Sequence, residues 1–183
     1  GPLTPPIGPA YLAASLRQAG HRARIVDGLG EDPFQVTRLF DDKVMAIGLR
    51  SEEIVERIEP DTDLIGISCM FSQDWPEIRR LIQMVRHRFP SIPIVAGGEH
   101  ITATAGFTLD SAPEVDVCVI GEGEETIVEL AAALEKTSNT SRGSAFDTIP
   151  GLVLRADKAA GGSRLPMHGE ATPRSTGSRT RIR

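Results

Sequence analysis

The chain is short of aromatic residues, of cysteine and of long apolar runs, and each shortage removes a class of protein. Aromatics make up 4% of its 183 residues, so its core is expected to be aliphatic. No apolar run reaches the roughly 18–20 residues that cross a bilayer, and no basic-then-apolar leader opens it. No membrane partner is therefore expected. The two cysteines, Cys69 and Cys118, lie inside apolar, strand-like runs. They read as buried thiols rather than a disulfide framework, which places the protein in the cytoplasm. Clustered Cys and His at metal-ligand spacing are missing. So are a G-x-S-x-G elbow, a G-x-x-x-x-G-K-[ST] loop and a complete G-x-G-x-x-G. No catalytic constellation, protein metal site or phosphate cradle is expected.

What is present is an acidic body with a basic tail. Residues 155–183 carry seven Lys or Arg and two acids, a net of +5, while residues 1–154 carry 13 basic and 23 acidic residues, a net of −10. An acidic body argues against nucleic acid as a partner. The tail is rich in Gly, Ser, Thr and Pro and reads as a linker. Two regions follow: an α/β domain over 1–155 and a flexible basic tail over 156–183.

Residues 9–19 have helix-forming composition, with Gly20 placed as a C′ glycine. Residues 23–27 read as a short strand, 28–43 as polar and turn-rich, and 44–49 as another strand. Ser51 suits an N-cap, followed by Glu52 and Glu53 in a first turn, with Ile54, Val55 and Ile58 as an apolar edge ending at Pro60. Residues 63–71 form a continuous apolar run suited to a strand buried on both faces. Asp74-Trp75-Pro76-Glu77 resembles a capping box. Ile78, Leu81, Ile82, Val85 and Phe89 then repeat at helical spacing. Strands are predicted over 92–98 and 115–121, with a weaker helix over 102–111. A further helix follows Gly123, with Ile127, Val128, Leu130, Ala131 and Leu134 on its apolar side. A polar loop over 136–148 leads to a short strand over 151–155, half of a hairpin on this reading. The alternation predicts parallel strands joined by right-handed crossovers, in an open doubly wound sheet with any ligand at its carboxyl edge.

Three predicted strands end in loops of small or polar residues: Ser68-Cys69-Met70-Phe71-Ser72, Gly97-Gly98-Glu99-His100 and Gly121-Glu122-Gly123-Glu124. Glycines there let backbone approach a flat ligand and donate N–H groups to it, or simply make tight turns. Glu122, Glu124 and Glu125 beside a helix start would repel a phosphate. His21 is expected to be exposed, His87 sits between Arg86 and Arg88, and His168 lies in the tail. His100 is the one histidine expected at the ligand edge.

These residues resemble a family. Pro5-Pro6-Ile7-Gly8, Ala10-Tyr11-Leu12-Ala13-Ala14 and Ala19-Gly20-His21 look like the opening of the cobalamin-binding domain of radical SAM enzymes. Asp63 to Ser68, Pro93 to His100, Asp116 to Thr126, and Ile149-Pro150-Gly151-Leu152 follow in the same order. The Gly-Glu-Gly-Glu-Glu-Thr turn followed by Ile-Pro-Gly is the most specific part.

The resemblance implies a Rossmann-like (flavodoxin-like) domain holding cobalamin over the carboxyl edge of its sheet. Backbone of the loops around Pro6 and Gly8, and of the three strand-end loops, would meet the corrin amides. Ser68 would either bond the nucleotide tail or cap its strand. The resemblance also implies a radical SAM barrel as partner, in cis or as a separate chain. That barrel would bring an iron–sulfur cluster and S-adenosylmethionine, often for methyl transfer.

This chain departs from the pattern in three ways. Cys-x-x-x-Cys-x-x-Cys is missing, and two cysteines 49 positions apart cannot hold a four-iron cluster, so the chain is not expected to be catalytic alone. The family's apolar strand before the Pro-Pro loop, central in a 2-1-3-4-5 order, is missing as well. A fragment of low stability follows, with residues 23–27 deprived of a neighbour. Finally, aligning the Asp-x-His-x-x-Gly motif of other cobalamin proteins on Gly8 puts Leu3 at the Asp position and Pro5 at the His position. Cobalt would then have no protein histidine ligand. Two alternatives stand beside this reading: an interaction module that has lost cobalamin binding, and a flavodoxin-like FMN or signalling domain.

Overall fold

Alternating apolar residues in four short runs build the sheet, and helical periodicity covers its two faces. The computed structural model describes residues 5–136, 146 and 148–155. Its elements run α1 (Ile7–Gln18), α2 (Gly28–Glu31), β1 (Val36–Leu39), β2 (Val44–Ile47), α3 (Ser51–Glu56), β3 (Ile65–Ser68), a 3-10 turn (Ser72–Asp74), α4 (Trp75–Arg88), β4 (Ile94–Gly97), α5 (Glu99–Ser111), β5 (Val117–Val119), α6 (Glu124–Lys136) and β6 (Leu152–Leu154).

The main sheet has the order β3-β4-β5-β6. β3, β4 and β5 are parallel, while β6 pairs antiparallel with β5, Cys118 opposite Val153. Successive side chains point to opposite faces. Ile65, Ile94, Ala96 and Cys118 join Ile82, Val85, Ile101 and Leu109 on the face covered by α4 and α5, with α3 beside α4. Val95, Val117 and Val119 join Ile127 and Leu130 on the other face, where α1 lies against α6. Ile82, Ile94 and Ile101 are wholly buried, each contributing about 1.5–3 kcal/mol by burial. The fold is thus α/β and Rossmann-like, with an aliphatic core. Both cysteines are free and buried. No helix among the described residues is long and apolar enough to cross a membrane.

Several local expectations change. Residues 23–27 form no strand. They pair with no strand among the described residues and are held by polar contacts instead. Arg17 donates to the Ala23 carbonyl at 2.6 Å, Arg22 to Asp61 at 2.6 Å, and Arg24 to the Arg57 carbonyl at 3.2 Å. The stretch 28–43 is not merely turns. It contains α2 and β1, and β1 pairs antiparallel with β2 in a separate two-stranded sheet. Its hairpin turn holds Phe40, Asp41 and Asp42 at positive φ, which no glycine announces. Ser51 is the first helical residue rather than the cap, and its hydroxyl donates to Glu77 at 2.6 Å. Asp74 ends a 3-10 turn with helical backbone and makes no side-chain cap bond. Arg57 ends α3 before Pro60. β6 pairs antiparallel with β5 across α6, and any hairpin partner beyond residue 155 lies outside the described residues. Gly20 does close α1, at φ +95, with Gly20 N–H on Arg17 O and His21 N–H on Leu16 O, a Schellman ending. The predicted tail over 156–183 and most of the predicted loop over 136–148 lie outside the described residues.

Among the described residues, no strand pairs with the outer edge of β3. Ile65 and Cys69 donate to Pro93 and Gly97 of the β4 side, so the alternate amides of Gly66 and Ser68 face away from it. Gly66 and Ser68 are exposed. Across a cleft from this edge runs the extended segment 21–27.

Candidate functional site

Parallel strands deliver their loops to one edge, and here the loops after β3, β4 and β5 meet the start of α1. Together they line the mouth of an open cleft of about 2380 Å³, which continues down the unpaired edge of β3. Of the predicted site residues, Pro6, Gly8, Ser68, Met70, Gly97, Gly98, Glu99, Gly121, Glu122, Gly123 and Glu124 line it. Cys69, Phe71, Ser72 and His100 do not.

The glycines divide into two kinds. A side chain on Gly98 would put its Cβ 2.5 Å from the Cys69 carbonyl oxygen, and one on Gly123 would meet Leu12 at 3.2 Å and Val119 at 3.3 Å. These two are required by the packing of loop on loop and helix on strand. A side chain on Gly8 or Gly121 would meet nothing within 4 Å, so those two leave bare backbone facing open space. Gly121 N–H is already used, donating to Thr102 Oγ1 at 3.0 Å.

The edge offers apolar surface with an acidic rim. Met70 is 53% and Phe71 63% exposed, and Glu99 and Glu122 on the neighbouring strand-end loops are exposed as well. Glu124 and Glu125 open α6, where they suit the helix dipole. The Ile-Pro-Gly segment packs behind this turn. Thr126 Oγ1 donates to the Pro150 carbonyl at 2.9 Å, and Ile120 N–H to that of Gly151 at 2.9 Å. The two most distinctive stretches of the sequence therefore hold each other.

No described histidine stands free at this edge. His100 is buried, with Nδ1 2.9 Å from Ser72 Oγ and its ring 5.2 Å from that of Trp75. His21, expected to be exposed, is half-buried at the far end of α1, 3.2 Å from Glu135. His87 is exposed near the end of α4. His168 and Leu3 lie outside the described residues. Among those residues, no group of three His, Cys, Asp or Glu could hold a metal ion. Burial pushes the Cys69 thiol up to about 11 and the Cys118 thiol up to about 12, which makes both poor nucleophiles and ligands. The loops at this edge thus present bare backbone at Gly8 and Gly121, the apolar side chain of Met70 and the carboxylates of Glu99 and Glu122.

Sequence comparisons show the family. The B12 binding domain model matches residues 1–131, and the chain belongs to that family. It is 32% identical to an uncharacterized methyltransferase of Pyrococcus horikoshii over 74% of this chain and 26% of that one. It is 31% identical to an anaerobic magnesium-protoporphyrin IX monomethyl ester cyclase of Synechocystis, over 84% and 27% respectively. A cobalamin-dependent radical SAM methyltransferase of Streptomyces tokunonensis is 26% identical, over 79% and 22%. The chain thus spans about a quarter of the length of these relatives.

Proposed function

We propose that this chain carries a corrinoid at the carboxyl edge of its sheet, for a radical SAM barrel that completes a methyltransferase-like enzyme. The observation that carries the proposal is the meeting of the Pro6–Gly8 turn and three strand-end loops at one open mouth, where no described histidine stands free: His100 is buried, and His21 lines the cleft only at the far end of α1, beside Glu135. Bare backbone at Gly8 and Gly121 would lie against the corrin, and Met70 would offer it apolar surface. Cobalt would receive no side-chain nitrogen from the described residues. Cobalamin would supply the methyl-carrying cobalt, while the iron–sulfur cluster and S-adenosylmethionine would belong to the barrel.

Equilibrium dialysis against hydroxocobalamin tests this, with Gly8→Leu as the control. An added Cβ there meets no atom within 4 Å, so Gly8→Leu is expected to fold, which its circular dichroism spectrum checks. Saturable retention by the parent chain, lost in Gly8→Leu, is the expected result. Equal retention by both, or none by a folded parent, contradicts it.

The unpaired edge of β3 favours a second element of the proposal. The slot between that edge and residues 21–27 would take one further extended strand, making the described chain part of a larger domain. If no corrinoid binds, the same open edge supports the interaction-module reading instead, since exposed strand edges pair readily with other chains.

A further inference from the structure

His100 holds both ends of a short exposed segment. Its backbone N–H donates to the Cys69 carbonyl at 3.2 Å, and its ring Nδ1 lies 2.9 Å from Ser72 Oγ. Only Met70 and Phe71 stand between those two anchors, and both side chains are exposed. The ring itself is fixed on two more sides. Trp75 packs against it with centroids 5.2 Å apart, and Thr104 Oγ1 lies 3.4 Å from Nε2.

The hydrogen bonds also specify the tautomer. Thr104 donates its proton to the His100 carbonyl at 2.7 Å, so its oxygen is left to accept from Nε2–H. Nδ1 is then the acceptor, and the Ser72 hydroxyl donates to it. Thr104 has non-helical backbone angles inside α5, φ −132° and ψ 25°. The helix therefore departs from ideal geometry at the residue that bonds this ring. With both nitrogens engaged and the ring buried, His100 offers no lone pair to a ligand. What it controls is the position of the loop.

We propose that His100 is a positioning residue: it staples Cys69 and Ser72 together and so presents Met70, the cleft-lining residue of the loop, as a fixed apolar contact to the bound ligand. This rests on the corrinoid reading and adds to it the element that fixes the loop. A large exposed apolar side chain on a tight, doubly anchored loop loses little backbone entropy when a ligand covers it. The same side chain on a loose loop would have to be ordered at binding, at a cost in affinity.

Ser72→Ala is the first test, because Ser72 is exposed and the change removes the bond to Nδ1 without opening an apolar cavity. His100→Asn is the second, because its amide oxygen can accept from Ser72 in place of Nδ1. Nitrogen-15 relaxation without ligand reads the loop. The amides of Met70 and Phe71 should have order parameters near the rigid value of about 0.85 in the parent and fall below about 0.6 in Ser72→Ala. Hydroxocobalamin affinity should fall roughly fivefold, the equivalent of one hydrogen bond, with the folded circular dichroism spectrum retained, and should stay near the parent's in His100→Asn. An unchanged order parameter, or an unchanged affinity in a parent that binds, overturns the positioning role alone. A folded parent that binds no hydroxocobalamin overturns the corrinoid reading and the positioning role with it.

Discussion

Gly98→Ala should be among the most damaging single-methyl additions in this molecule. Gly98 sits at φ +102°, ψ 175°, a region essentially closed to residues with a Cβ, where occupancy costs about 1–3 kcal/mol. The new Cβ would also stand 2.5 Å from the Cys69 carbonyl oxygen, 2.9 Å from its carbon and 3.1 Å from its nitrogen. All three are backbone atoms, so no side chain can swing away. Moving them apart strains two bonds across the same gap: Cys69 N–H to Gly97 O at 2.8 Å, and His100 N–H to Cys69 O at 3.2 Å. At about 1 kcal/mol for each bond weakened, the total reaches about 3–5 kcal/mol. Urea unfolding followed by far-ultraviolet circular dichroism reads this directly. With a slope of about 2 kcal/mol per molar, the midpoint should fall by about 1.5–2.5 M. Gly121→Ala is the matched control, since Gly121 also has positive φ, +72°, but an added Cβ meets nothing; it should cost only about 1–2 kcal/mol. Equal losses for the two variants, or a Gly98→Ala midpoint within error of the parent, would refute the close-approach argument.

Other outcomes follow from single contacts. Arg86 donates to the carbonyls of Phe89, Pro90, Ile92 and Glu114 and to Asp116 at 2.6 Å, tying the end of α4 to the starts of β4 and β5. Arg86→Ala should cost about 2–4 kcal/mol by urea unfolding, and Arg86→Lys should recover less than half, because an ammonium cannot fork across those carbonyls. Cys69 and Cys118, buried and with thiols pushed up to about 11 and about 12, should resist an aromatic disulfide reagent at neutral pH until denaturant is added; prompt native labelling would contradict their burial. The Arg50 guanidinium, with the Arg50 backbone N–H and the Gln35 side chain, holds the Glu53 carboxyl at about 2 against an ordinary 4.5. The folded-state value is depressed, so its stabilising contribution is present above pH 4.5 and is lost as pH falls through about 2. Carbon-13 titration of Glu53 should therefore show a midpoint near 2, and a midpoint above 4 would contradict the contact.

Strong periodicity and forced turns made much of the fold legible. Ile78, Leu81, Ile82, Val85 and Phe89 mark α4 unambiguously, and Leu81, Ile82, Val85 and Phe89 are buried as their spacing requires. Gly20 marks the end of α1 because only glycine settles easily at its φ. The β1–β2 hairpin was not legible. Val-Thr-Arg-Leu is too short for alternation to register, and aspartates rather than glycines occupy its left-handed turn. Asp74 misled for another reason: the 3-10 turn before α4 holds it in helical backbone, where its carboxylate accepts no bond from the helix amides that follow. At the site, the loops and their shared edge could be read from strand order. The orientation of His100 could not, because it depends on Ser72, Trp75 and Thr104, which tertiary packing brings together. Likewise, sequence alone does not separate a glycine needed for packing, such as Gly98, from one that leaves backbone open, such as Gly8.

The most direct test of the central claim is electron paramagnetic resonance of cob(II)alamin titrated with this protein at neutral pH. Free cob(II)alamin carries its own nucleotide base on cobalt and shows nitrogen splitting. The account predicts saturable conversion to a spectrum without nitrogen splitting, as cobalamin seats on the carboxyl edge and no histidine replaces the base. A spectrum that keeps the free cofactor's splitting at saturating protein would contradict displacement of the base on this edge, and a new splitting that changes when histidine is labelled with nitrogen-15 would contradict the absence of a protein ligand.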